Sequence, residues 1–280
     1  MKPIAEALEV SRSHLILSLK QTEETKPNFK RVKSHFIFDE NLALKLIEIT
    51  NYRPSYGYRR AGAVLNRQLI NEGLGRINHK RISRVMKEKK LLLPKYVGFK
   101  PERKHEGKVI TLRSNTRWRS DALQIRCWDG KKIEVVFVMD TCDREILSYV
   151  ATTQHLNAQD VQNRIVLAHE KRFGNLHKAP HIIEWLTDNG GIFIANDTKH
   201  LAKSLGLLPC QTAAYSPESN GMSESFVKRF KQDYVQVNEL WCTEDVLLEI
   251  PKWLNDYNEN HPYKGLEMLT PREFLRRSSN

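Results

Sequence analysis

An α/β domain with a mixed five-stranded sheet, preceded by an all-α region, is the fold class that this 280-residue sequence predicts. Three observations carry it. After residue 115 the strand-like and helix-like runs follow the order β-β-β-α-β-α-β-α, a hairpin meander continued by crossovers of the right-handed kind. Before residue 95 the periodicity is helical. Charge divides near the same place: residues 1–117 hold 26 Lys+Arg against 11 Asp+Glu, a net +15, whereas residues 118–280 hold 19 against 22, a net −3. A basic module joined to a near-neutral one suits a protein that grips a polyanion in one place and acts on it in another.

From the N-terminus, Ile4 to Ile16 reads as helix, turn and second helix, with Ser11 as N-cap. Arg12 and Ser13 then face outward where a helix-turn-helix places its base-reading residues, so 1–20 reads as a partial unit of that kind, cut short at its start. Residues 36–94 read as a helical DNA-binding module. Asp39-Glu40 caps a helix through Ile49, and Tyr52 to Arg60 bridges to a helix ending near Leu69. The last helix, Asn78 to Lys87, buries Ile82, Val85 and Met86 and turns Lys80, Arg81, Arg84 and Lys87 elsewhere. Tyr56 and Tyr58 read as core ahead of base-stacking, because helix-adjacent aromatics usually pack. Residues 95–114 are polar and basic with little periodicity and read as a linker.

In 115–280 an alternating stretch begins at Asp121 and runs to the Asp129-Gly130 hairpin turn, followed by strands Ile133 to Met139 and Ile146 to Thr152. A helix spans Ala158 to Phe173 and stops at Gly174. A strand ends at Asp188, where Asn189-Gly190-Gly191 opens a loop; a short helix near 197–205, a short strand near 207–210 and a last helix follow. That order lets the first and fourth strands lie side by side, which sets Asp121 next to Asp188. Glu224 follows a Ser216-Pro217-Glu218-Ser219-Asn220-Gly221 loop and is expected in the first turn of its helix.

Three carboxylates from two strands and a helix can hold a divalent metal through oxygen while leaving positions for water and a phosphate. With 33 acidic residues, some Asp/Asp/Glu triplet is expected by chance; Asp140 and Asp143 compete with Asp121, and Asp197 and Glu218 compete by position. Asp143-Arg144, after a strand, reads as a turn former.

Trp118-Arg119-Ser120-Asp121, Trp185-Leu186-Thr187-Asp188-Asn189-Gly190 and Ser216 to Lys228 resemble the catalytic domain of the retroviral-integrase superfamily, which has an RNase H-like fold. Within it the chain resembles OrfB-type transposases of bacterial copy-out–paste-in insertion sequences. Tyr257-Asn258-Glu259-Asn260-His261-Pro262 and Thr270-Pro271-Arg272-Glu273-Phe274 match that family's C-terminal signature. Tyr56 to Arg60 and Asn78 to Arg81 match its second DNA-binding region, implying DNA contacts from Arg59, Arg60, Lys80, Arg81 and Arg84. Leu123 stands where many relatives carry Thr.

The resemblance implies Asp121, Asp188 and Glu224 as catalytic acids and metal ligands. It further implies two Mg²⁺ ions, with Mn²⁺ as substitute, and strand cleavage and transfer at terminal inverted repeats and into target DNA. Also implied are a homo-oligomer on DNA, fusion with an upstream-frame product, and a cytoplasmic, nucleoid-associated location. A DNA-binding regulator and a nuclease without strand transfer are the alternatives. Four and seven residues after Glu224 lie Lys228 and Lys231, on one side of the helix, while Phe226, Val227, Phe230 and Tyr234 face the sheet. Ammonium groups one and two turns from a metal-bound carboxylate suit a helix lying along a phosphate backbone.

The four cysteines are scattered without CxxC or zinc spacing, so they read as reduced thiols. No signal peptide or membrane-length apolar run is present.

Overall fold

The computed structural model describes residues 38–94, 111–211 and 217–278, with 217–220 as backbone only. Arg12, the unit at 1–20 and most of the 95–114 linker lie outside the described residues.

Three helices open the described chain: α1 (Asp39–Tyr52), α2 (Tyr58–Asn71) and α3 (His79–Glu88). Their apolar faces meet in one cluster that includes Leu42, Leu46, Leu65, Leu69, Ile82, Val85 and Met86, with Tyr56 buried among them and Tyr58 packed at its edge. The side chain of Asn78 caps α3 by accepting from the Lys80 amide. Asp39, contrary to the sequence expectation, does not cap α1. It sits in the first turn, where its carboxylate bridges Arg81 and Arg84 of α3.

The second region is built on a mixed five-stranded sheet in the order β3-β2-β1-β4-β5, the RNase H-like arrangement. The strands are β1 (Arg117–Arg126), β2 (Lys132–Asp140), β3 (Ile146–Thr152), β4 (Ile183–Thr187) and β5 (Leu207–Gln211). β1–β2–β3 form an antiparallel meander, and β4 and β5 join parallel to β1. Helix α4 (Ala158–Phe173) begins in a capping box of Asn157 and Asp160 and stops at Gly174, whose φ is +60°. A single turn α5 (Gly191–Ile194) and α6 (Asn196–Ser204) lead into β5; α7 (Pro217–Phe230), α8 (Thr243–Asn260) and α9 (Pro271–Ser278) complete the chain.

Strand parity assigns the two faces. Even positions of β1 and β2, such as Trp118, Val136 and Val138, pack with α4. Odd positions, Leu123, Ile125, Val135, Phe137 and Met139, pack with Phe226 and Phe230 of α7 and with α8.

Two boundaries differ from the sequence expectation. β1 starts at Arg117, so Asp121 is mid-strand; Trp118, Arg119 and Ser120 are all buried, and a strand covered on both faces shows no alternation to read. The helix of Glu224 starts at Pro217, so Glu224 is well inside it. Pro at a first helical position loses no hydrogen bond, which lets a loop-like Pro/Asn/Gly composition begin a helix.

Asp140 and Asp143 are enclosed in the β2–β3 turn. Asp140 accepts from the Asn115 amide at 2.6 Å and from Cys142 at 2.7 Å, and Asp143 pairs with Arg172 at 2.8 Å. Burial, with Asp143 beside it, pushes Asp140 up to about 6. A carboxyl raised in the folded state costs stability above its folded pKa, and that cost is relieved as pH falls through about 6 toward the unfolded value. The melting-temperature difference between Asp140→Asn and wild type is therefore expected to move in favour of the variant as pH rises from about 5 to about 8. A pH-independent difference in thermal melts would contradict this.

Candidate active site

Asp121 and Asp188 are brought together by the parallel pairing of β1 with β4. Arg117 pairs with Glu184, Trp118 with Trp185 and Arg119 with Leu186, so Asp121 and Asp188 follow at matching steps along the two strands. Trp185 fixes this seam from the other face by donating its indole N–H to Ser120 Oγ at 2.8 Å. Asp188 closes a tight turn by accepting from the Gly190 amide at 3.0 Å. A Cβ at Gly190 would stand 3.0 Å from Asp188 Oδ1, so glycine permits this approach.

Helix α7 brings the third acid. Phe226 and Phe230 anchor it to the odd face of the sheet, the face on which Asp121 lies. Ser223, next to Glu224, is fully buried close to Asp121. Glu224 itself is exposed. Burial raises the Asp121 carboxyl and Asp188 adds to that, whereas the Ala122 amide, Arg119 and Ser223 oppose it. Arg119, fully buried two residues before Asp121, lies within the electrostatic reach of Asp121, Asp188 and Glu224 alike.

Asp188 lies within electrostatic reach of Asp121, and among the described residues no three potential ligands are already gathered into a metal cage. The donor chemistry of the three acids fits a hard divalent cation: carboxylate oxygens only, with Asp188 held by a tight turn and Glu224 exposed on α7. The rival acids lie elsewhere. Asp140 and Asp143 are enclosed, and Asp197 starts α6; the side chain of Glu218 is outside the described residues.

The basic residues divide. Lys228 is exposed on α7; Lys231 is half-buried as the first residue of a π-helical turn, Lys231–Val235, that continues α7. Lys80 and Arg59 are exposed, Arg59 donating to the Tyr58 hydroxyl. Arg81 and Arg84 are engaged by Asp39. Arg60 requires correction: its guanidinium pairs with the buried Asp233 of the π turn at 2.5 Å and lies over Tyr56, so it joins modules instead of facing DNA. Successive helix positions point about 100° apart, so Arg59 can face out while Arg60 faces in. Arg119 and Ser223 also lie near Asp121 and carry no sequence signal of their own, because the first half of β1 is buried on both faces and shows no period.

Comparison with known proteins gives the family. The integrase core domain family matches residues 112–217, a second model with the same description matches 206–271, and an HTH-like domain matches 38–97. The transposase InsD of insertion element IS2A/D/F/H/I/K from Escherichia coli is 38% identical over 275 residues, covering 98% of this chain and 90% of that protein. The chain belongs to the insertion-element transposases. It is a polynucleotidyl transferase of the Asp-Asp-Glu class, acting in DNA transposition. The InsD transposase for IS2-9 from Escherichia coli K12 matches equally, covering 88% of its length. Among solved structures, the catalytic core domain of BIV integrase aligns at 18% identity and a TM-score of 0.40, covering 59% of this chain and 96% of that one. Among the described residues no helix is long and apolar enough to cross a membrane.

Gly190→Ala is expected to displace the Asp188 carboxylate and lower DNA-end cleavage by about tenfold or more, since small misplacements of reacting groups are costly. Cleavage at the wild-type rate by a normally folded variant would show that the turn does not position Asp188.

Proposed function

We propose that Asp121, Asp188 and Glu224 form the catalytic centre that cuts and joins the ends of an insertion element. The observation that supports this reading is the β1–β4 seam, whose parallel register, continued two residues beyond Arg119 and Leu186, would bring Asp121 and Asp188 to neighbouring positions. Asp121 and Asp188 would supply shared oxygen ligands and Glu224 a further one. Two Mg²⁺ ions, or Mn²⁺ in their place, would supply the Lewis acidity that activates an attacking oxygen and stabilises a leaving one.

In the first step water attacks the phosphodiester at an element end and a 3′-hydroxyl leaves. In the second that hydroxyl attacks another phosphodiester, so one P–O bond forms as one breaks. The first joining is to the other end of the same strand, giving a circular intermediate before insertion into target DNA. Lys228 and Lys231 would hold the DNA end along α7, while residues 36–94, through Lys80, Arg59 and charges released from Asp39, would grip terminal inverted repeats. We place Arg12 in the same DNA-gripping set. A homo-oligomer assembled on DNA in the cytoplasm, with the upstream-frame product fused to it, completes the proposal.

Asp188→Asn is expected to abolish cleavage and joining on oligonucleotides carrying the element ends, with DNA binding retained. Hydrolysis surviving in that variant would remove Asp188 from the centre. Lys228→Ala/Lys231→Ala is expected to impair both steps at unchanged melting temperature, most severely at high salt, because fewer phosphate contacts remain. Wild-type processing by the double variant at every salt concentration would leave the lysines as solvated partners of Glu224.

A further inference from the structure

The stretch from Tyr257 to Phe274 takes no part in the proposed chemistry, yet it meets the helical module at several points. Arg67, on α2, uses all three guanidinium nitrogens there. Two donate to the main-chain carbonyls of Asn260 and Met268, each at 3.1 Å, and the third pairs with Glu273 at 3.1 Å. One side chain thus ties the end of α8, the turn after it and the start of α9 to the module. Glu273 is prepared for this contact: its other carboxylate oxygen accepts from the Thr270 amide at 2.8 Å, and Thr270 Oγ1 accepts from the Glu273 amide, a capping box. The turn is strained, because Glu267 and Met268 have φ of +56° and +67°, where residues with a Cβ seldom sit. Such strain persists only where surrounding contacts over-determine the backbone. Beside it the buried His261 shares a hydrogen bond of 3.1 Å with the Tyr56 hydroxyl. The same stretch also grips the sheet domain. Asn258 exchanges two hydrogen bonds with the main chain of Ile146, at 2.9 and 3.0 Å, and Tyr257 packs edge-on against Phe226 of α7. A main-chain carbonyl has a fixed direction, so a planar guanidinium spanning two of them responds to position as well as charge.

We propose that residues 257–274 form the seat of the helical module, and that Arg67 is a positioning residue that aligns a held DNA end with the catalytic centre. This rests on the reading of the module as the DNA grip and of Asp121, Asp188 and Glu224 as that centre. A module free to shift on its seat presents the DNA end over a range of positions, whereas a fixed one presents a single phosphodiester. Misplacement by about 1 Å can cost about 100-fold in rate. The seat therefore acts on the speed and the accuracy of cutting, and not on the grip.

The test is cleavage of an end-labelled duplex carrying the element end by the full chain, with binding to the same duplex measured alongside. Arg67→Met is expected to bind within about twofold of wild type and with the same salt dependence, because Arg67 meets protein and not phosphate. Its kcat is expected to fall about tenfold or more at little-changed KM, with cuts spread to phosphodiesters beside the normal one. Arg67→Lys, which keeps the charge but cannot span three partners, is expected to lie between the two. Glu273→Gln removes the ion pair and keeps an oxygen for the Thr270 amide. It is expected to spread the cuts in the same way, and to add little when combined with Arg67→Met, since the two residues share one contact. Wild-type kcat with a single cut position in both Arg67→Met and Glu273→Gln would overturn the proposal. So would weaker binding with a shallower salt dependence in Arg67→Met, which would put Arg67 on the DNA. Failure of both variants to fold would overturn it too, leaving the seat a stability element alone. The parent reading fails separately, if Asp188→Asn still cleaves.

Discussion

Everything at the candidate centre depends on the parallel pairing of β1 with β4. Parallel neighbours step together along the sheet, so two aspartates at equivalent steps of adjacent strands emerge on the same face. The meander β1–β2–β3 and the Trp185–Ser120 hydrogen bond hold that register. A slip of one residue would send every side chain of the strand to the other face and separate the acids by the thickness of the sheet. The aromatic contact of Phe137 with Phe226, ring centroids 4.7 Å apart, lays α7 on the same face.

Much of this was legible in the sequence because it is local. A short apolar, β-branched run marks β2, the Asn157 cap and Gly174 bound α4, and the handedness of crossovers places β4 beside β1. The features that escaped were either masked by full burial or set by distant partners. The first half of β1 is covered on both faces and so lacks a period. Pro217 begins a helix with residues that ordinarily signal a loop. Arg60 looked like a DNA contact because its partner, Asp233, stands 173 residues away. Arg119 carried no signal because a fully buried guanidinium is not expected in a strand interior.

The +15 surplus of the N-terminal part therefore overstates the charge free to meet DNA. Arg53 pairs with Asp256, Arg60 with Asp233, and Arg67 with Glu273, all across the boundary between the helical module and the C-terminal elements. Arg81 and Arg84 share Asp39 within the module. For these residues the opposing charge is already present, and a phosphate must compete with a carboxylate. Lys80 and Lys87 are exposed on α3 and have no such competitor among the described residues.

The Arg60–Asp233 pair also changes how α7 must be understood. Asp233 is buried, accepts from Ser55 at 2.6 Å as well as from Arg60, and belongs to the π turn that extends the helix of Glu224. A π turn inserts an extra residue into the helical repeat and rotates the residues beyond it. Here it delivers Asp233 to the helical module while Tyr234 stays in the core, its hydroxyl donating to Asp256 at 2.7 Å. A carboxylate so fully enclosed has no inexpensive alternative to its arginine, because an unpaired charge in that place would cost several kcal/mol, about 3–5 by the usual experience of buried pairs. The contact is consequently all-or-none. One continuous element then carries Glu224 in its middle and, at its C-terminal end, the Asp233 contact with the helical module. The two modules are joined through the helix that bears Glu224.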